Sequence, residues 1–258
     1  MIVPTETPSI NRCAPTEDLS ISGFWSPLRQ WYLPCKGSIE FVVAASLLVL
    51  SSPVILLAAL LVKLTSPGPA FYSQTRSGKS GRPFSIHKLR TMYHNCESAS
   101  GPRWSTPGDA RITPLGRFLR RTHIDELPQL WDIVCGNMAL IGPRPERPEF
   151  IPALAQKLPH YTDRLLVRPG MTGMAQVQLP PDSDLDSVRR KLAYDLYYVR
   201  YVNPWLDLRI LAGTFFYLLR MPLDLLPRLG LVPHRRVIEE TYVSATGQIV
   251  AVAAVQPA

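Results

Sequence analysis

The chain has 258 residues, 46% of them hydrophobic, which suits one sizeable domain with appendages and argues against two or more full domains. A formal charge of +8 and a pI near 9.5 point to an anionic partner: nucleic acid, a phospholipid surface or a phosphorylated substrate. Cys13, Cys35, Cys96 and Cys135 lie far apart with no C-x-x-C pair, so no zinc site or disulfide framework is signalled and reduced, cytosol-facing thiols are expected.

Residues 1–38 carry scattered prolines and no sustained periodicity, which predicts a loose N-terminal tail. Its aromatics Phe24, Trp25, Trp31 and Tyr32 stand close to the next segment as an interfacial anchor. That segment, "FVVAASLLVLSSPVILLAALLV", runs from 41 to 62 for 22 residues without a charge. At about 1.5 Å per residue it just reaches across a bilayer core of about 30 Å. It is too long, and starts too far from Met1, for a signal peptide; a buried helix of a soluble core is the alternative. Ser51-Ser52-Pro53 at its centre predicts a sharp kink, because proline removes a backbone donor and a neighbouring serine can satisfy the freed group. From Lys63 to Cys96 there are six bases (Lys63, Arg76, Lys79, Arg82, Lys88, Arg90) and no acid, and residues 23–38 carry Arg29 and Lys36 and no acid. Both flanks therefore read as cytoplasmic, and residues 39–64 as a helix that enters one leaflet and returns. A straight span is the competing topology.

Residues 65–229 read as a cytoplasmic domain. Alternation around "RSGKSGR" predicts a hairpin within 70–92. Thr113-Pro114 opens a helix to about Arg121. A second helix follows, with Leu127, Leu130, Trp131 and Val134 on one face and Gly136 as its stop. Further helices are expected at 147–158, 160–167 and 184–202, the last burying Leu185, Val188, Leu192, Leu196 and Val199. Asn203-Pro204 opens another, whose uncharged stretch from Ile210 to Leu219 is too short to span and suits a helix lying in the headgroup layer. An ordinary core helix is the alternative there. Residues 230–258 read as a tail.

Asp125 and Glu126 stand among bases. Taken alone they suit first-turn acids, with Thr122 and Asp125 as a capping pair. However, Arg120, Arg121, Arg144 and the Lys88/Arg90 pair would form a positive surface suited to a diphosphate if the fold gathers them. Adjacent carboxylates then suit a division in which one holds a divalent cation and the other attacks phosphorus. Pro143 and Pro145 would fix the backbone on both sides of Arg144 and aim its guanidinium. The histidines His87, His94, His123, His160 and His234 lack ligand spacing and read as solvated or packing residues.

Five stretches in order, "SSPVILLAALLVKLTSPGPAFYSQTRSG", "FSIHKLRTM", "LGRFLRRTHIDELPQLWDIVCGNMALIGPRPERPEF", "VRPGMTGMAQV" and "YDLYYVRYVNPWLDLRIL", resemble the bacterial sugar transferases over roughly residues 38–222. These are the monotopic polyprenyl-phosphate sugar-1-phosphate transferases, or small phosphoglycosyl transferases. The resemblance implies a mostly helical α+β monotopic membrane protein with a re-entrant N-terminal helix hairpin broken at Ser52-Pro53, interfacial amphipathic helices and a small β element. It implies transfer of a sugar-1-phosphate from a UDP-sugar to undecaprenyl phosphate, with release of UMP, at the cytoplasmic face of the bacterial inner membrane, initiating a surface glycan. It further implies Asp125 as the nucleophile of a covalent phosphosugar intermediate and Glu126 as a Mg²⁺ ligand. Pro143, Arg144 and Pro145 would shape the phosphate site, and Lys88, Arg90, Arg120 and Arg168 would line it. The family commonly carries Gly-Trp-Ala-Gln-Val followed by Asn-Gly-Arg, whereas this chain has Met174 and no such trailer, which leaves the sugar open. The rival functions are a non-catalytic module for anionic lipid or nucleic acid, and a hydrolase. On the favoured reading nucleic acid is no partner.

Overall fold

The computed structural model describes residues 27–96, 108–180, 184–222 and 225–246. Its first element is a 39-residue helix, α1 (Pro27–Thr65). The helix begins before the expected boundary at 38, so the last part of the predicted tail is helical; Phe24 and Trp25 lie outside the described residues. Helical assignment continues through Ser52-Pro53. Pro53 has no N–H to offer the carbonyl of Val49, and the Ser52 hydroxyl donates to that same oxygen at 2.8 Å. The serine thereby supplies the bond that the proline withholds.

The buried face of α1 comes in two parts, Tyr32 to Ala44 and Ile55 to Val62, with no buried residue from 45 to 54. Tyr32 and Ala44 join the main core, and Ala58, Ala59 and Val62 pack with Leu89 and Leu119. The opposite side leaves Val42, Leu47, Val49, Leu50, Leu56, Leu57, Leu60 and Leu64 exposed. The N-terminal half is also fastened by charge. Lys36 Nζ lies 2.8 Å from Glu40 Oε1 and 2.5 Å from Asp207 Oδ2, and all three side chains are buried. Asp207 also accepts from Tyr32 at 2.5 Å and from Tyr198 at 2.8 Å.

The hairpin forms as expected, with β1 (Phe71–Ser77) antiparallel to β2 (Pro83–Leu89) and Tyr72 opposite Lys88. Its turn needs positive φ at Ser80 and Gly81. Helix α2 (Pro114–Thr122) starts where Thr113 Oγ1 accepts from Gly116 N at 2.9 Å. Helix α3 (Gln129–Val134) starts later than predicted and faces differently. Leu130 and Ile133 are buried while Trp131 is exposed, because a helix of barely two turns seats only the side chains nearest the core.

After α3 comes β3 (Ala139–Ile141), which pairs in parallel with β4 (Gly170–Thr172). This sheet has no counterpart in the sequence reading; three-residue strands show no period to detect. Here Gly142 and Gly170 bring two backbones so close that a Cβ on Gly170 would stand 2.0 Å from Gly142 N. Between the strands lie α4 (Ile151–Lys157) and a 3₁₀ turn over Tyr161–Leu166 where a helix was expected.

Helix α5 (Leu185–Tyr201) carries an Asp184–Ser187 capping box and buries Val188, Leu192 and Val199 as predicted. Helix α6 (Pro204–Leu218) is capped by Asn203. It buries Leu206, Asp207, Ile210 and Gly213 and exposes Trp205, Leu208, Leu211, Phe215 and Leu218. After α7 (Leu225–Arg228), the expected C-terminal tail contains α8 (Arg235–Thr246). This helix packs on α5 and buries Ile238 and Tyr242, the kind of i, i+4 pair that one apolar stripe provides.

Candidate active site

Three short segments converge. Strand β2 presents Lys88. Helix α2 ends at His123, whose left-handed conformation (φ 56°) turns the chain into a 3₁₀ turn over Ile124–Glu126. Pro128, two residues beyond Glu126, has no N–H to donate to Ile124 O, so an α-helical bond is missing at that point. Asp125 and Glu126 therefore occupy a tight corner and not the first turn of an α-helix. Thr122 does not cap Asp125; its hydroxyl donates back to Phe118 O at 3.0 Å.

The third segment is Pro143-Arg144-Pro145, entered from β3. All three of its carbonyls are held. Gly170 N donates to Pro143 O at 2.9 Å, Arg164 Nη2 to Arg144 O at 2.8 Å, and Arg76 Nη1 to Pro145 O at 3.2 Å. Arg164 is fixed in turn by Asp195 at 2.7 Å and by the Tyr161 hydroxyl at 2.9 Å. The strand leading in is held from outside as well. Ile141 N donates to Glu40 Oε1 at 3.1 Å, and the Tyr198 hydroxyl, whose proton goes to Asp207, lies 3.1 Å from Ile141 O. With φ fixed at both prolines and each carbonyl bonded, the backbone leaves Arg144 only its side-chain torsions.

Arg144 uses them to reach Glu126. Its Nη2 lies 2.5 Å from Glu126 Oε1, and Lys88 Nζ lies 2.7 Å from the same oxygen. Burial would raise the Glu126 carboxyl, but Arg144 and Lys88 hold it well below the usual range. Burial lowers Lys88, with Glu126 opposing that shift. Asp125 differs from its neighbour. It is buried, yet among the described residues it accepts no hydrogen bond and forms no ion pair. Burial pushes its carboxyl up, Glu126 adds to the rise, and Lys88 and Arg120 offset it in part. One carboxylate is thus committed to cations while the other keeps its lone pairs.

The remaining predicted residues divide. Arg120 is in the field of Asp125, with Nε donating to Thr91 Oγ1 at 2.8 Å. Arg90 is engaged elsewhere: its guanidinium donates to Pro67 O at 2.5 Å and to Ser66 O at 2.8 Å, fastening the chain where it leaves α1. Arg168 lies against α1, where a Cβ on Gly37 would meet its Nη1 at 3.1 Å. Arg76, Arg164, Tyr161 and Asp195, which hold the loop, were missed by sequence reasoning. The one signal that could have found Arg164 is its place three residues before the "VRPG" stretch that begins at Val167.

Among the described residues no three His, Cys, Asp or Glu side chains gather into a metal cage. The Asp125–Glu126 pair nevertheless offers hard oxygen donors, and that fits a cation such as Mg²⁺ that takes its other ligands from substrate phosphates and water.

The model of the bacterial sugar transferase family matches residues 31–221, which takes in α1, both carboxylates and the Pro-Arg-Pro loop. The chain belongs to the bacterial sugar transferase family. Among relatives of this family member, a "UDP-glucose:undecaprenyl-phosphate glucose-1-phosphate transferase" of Caulobacter vibrioides is 42% identical over 69% of the chain and 67% of the relative. A "UDP-N-acetylgalactosamine-undecaprenyl-phosphate N-acetylgalactosaminephosphotransferase" of Aeromonas hydrophila is 40% identical over 71% of the chain. The match spans only 43% of that relative's length. An "Exopolysaccharide production protein PSS" of Rhizobium leguminosarum is 37% identical, and there the match covers 94% of the relative. Helix α8 lies beyond the family match, although it completes the core of this family member.

Proposed function

We propose that this chain transfers a sugar-1-phosphate from a UDP-sugar to undecaprenyl phosphate at the cytoplasmic face of the bacterial inner membrane, the first membrane step of a surface glycan. The observation that carries the reading is the unengaged, buried Asp125 carboxylate beside a Glu126 that draws in Lys88 and Arg144. An Asp125 oxygen attacks the phosphorus that bears the sugar. The bond from that phosphorus to the bridging oxygen breaks, and UMP leaves with the electron pair. An oxygen of undecaprenyl phosphate then attacks the same phosphorus and Asp125 departs. Lys88, Arg120 and Arg144 offset the charge of the diphosphate and hold it in line. Glu126 would hold Mg²⁺, which when bound supplies further neutralisation of the phosphate oxygens. The relatives' names make UDP-glucose and UDP-N-acetylgalactosamine the first donors to try. A panel of UDP-sugars with undecaprenyl phosphate is expected to release UMP with one of them and only with acceptor present for continued turnover. Turnover by water alone would instead identify a hydrolase.

A monotopic, re-entrant placement of α1 is part of this proposal. Its support is that the Tyr32–Ala44 and Ala58–Val62 parts of the buried stripe pack on the same body, while the outer face of α1 and the Trp205–Leu218 face of α6 remain apolar and exposed. A helix crossing the bilayer would carry one of those ends to the far side. Cysteines placed at Ser9 and Gly108, in a background without native cysteines, are both expected to escape an impermeant thiol reagent in intact cells. Labelling at residue 9 alone would establish a straight span.

A further inference from the structure

Glu126 occupies the place where an anion would sit. Its Oε1 receives Lys88 at 2.7 Å and Arg144 at 2.5 Å, and its side chain is only 13% exposed. The Arg144 side chain is 38% exposed, so the open side of the cluster belongs to the cation. Neither cation can serve a diphosphate fully while it is spent on Glu126. Nor can Glu126 offer that oxygen to a metal while both cations cover it. The surroundings do not have to move for this to change. Lys88 is carried on a paired strand, and the Arg144 backbone is pinned through its own carbonyl and those of both flanking prolines. Side-chain rotation suffices.

We propose that Glu126 acts as a built-in anion that holds Lys88 and Arg144 and surrenders them to the substrate diphosphate when it binds, so that diphosphate and divalent cation promote each other's binding. The proposal rests on the functional reading above. The exchange is one of contacts alone: Lys88 and Arg144 trade a carboxylate oxygen for phosphate oxygens, and the carboxylate so released turns to the cation. Asp125 takes no part in it and stays available throughout. The arrangement also places a carboxylate between two like-charged side chains that would otherwise repel each other.

The test is direct binding of UDP to the full-length protein in detergent, measured by calorimetry in EDTA and in Mg²⁺. Removing a competing charge-assisted contact should make Glu126→Gln bind UDP about tenfold more tightly than wild type in EDTA. In Mg²⁺ the order is expected to reverse or vanish, because only wild type gains from the metal. Glu126→Ala, measured alongside, should show the same gain in EDTA and guards against a variant-specific fold defect. Equal or weaker binding of UDP by both variants in EDTA would overturn the exchange while leaving the transferase reading intact. Failure of wild type to bind UDP even in Mg²⁺ would overturn both.

Discussion

Asp125→Asn is expected to abolish turnover and covalent labelling together, while the protein stays folded and membrane-bound. The side chain keeps its shape, and no hydrogen bond or ion pair at this position among the described residues is lost. What disappears is the proposed nucleophile, and a carboxamide does not replace a carboxylate in attack on phosphorus. Loss of at least about a thousandfold in rate is expected on this account, since the remaining groups only position and neutralise. The positive measurement is a mass increment of one sugar phosphate on the Asp125 peptide, after wild type is mixed with Mg²⁺ and the correct UDP-sugar without acceptor. An adduct on another residue would reassign the nucleophile. Kinetics that demand both substrates before any UMP appears would remove the covalent step.

Lys36→Met is expected to damage the fold more than any surface substitution. Lys36 is the cation between Glu40 and Asp207, and its removal leaves two buried carboxylates side by side. Breaking a buried pair in this way costs about 3–5 kcal/mol. For a chain of this size that is a fall of roughly 10 °C in thermal midpoint. The deficit also has a pH signature. Burial already pushes the Glu40 carboxyl up, and Lys36 pulls it back. Without Lys36 the folded state binds protons more readily than the unfolded chain, so the deficit should shrink as pH falls and widen as pH rises. A midpoint unchanged from wild type, or a deficit that grows in acid, would show that the network contributes little to stability.

How much of this was legible in the sequence depends on how local each signal is. The hairpin, the Thr113 cap and the stripe of α5 are written within a few residues, and each appears where its pattern placed it. Asp125, Glu126, Lys88 and Arg144 were also legible, as acids among bases and as an arginine between prolines, and the structure gathers them. The parallel β3–β4 pair was not, because two strands of three residues, far apart in the chain, have no pattern of their own. Arg90 was read as a phosphate ligand from its charge and from the family resemblance, and Arg168 from the resemblance alone. Composition does not say whether an arginine faces a site or, like Arg90, ties down backbone carbonyls. The converse error hid Arg76 and Arg164, whose role is to hold main-chain oxygens of a loop distant in sequence.

The contact between Lys36 and Asp207 joins residues 171 positions apart. A ribosome adding about 5–20 residues per second needs roughly 10 to 30 s to make that stretch. Throughout that interval the segment carrying Lys36 has been made and Asp207 has not. Because Lys36 and Glu40 are one helical turn apart, they neutralise each other during the wait, and the nascent helix can meet the lipid surface with no net charge at that point. On the proposed membrane placement, insertion of α1 and closure of the Lys36–Asp207 contact are therefore separate events in time, and the arrival of Asp207 marks the second.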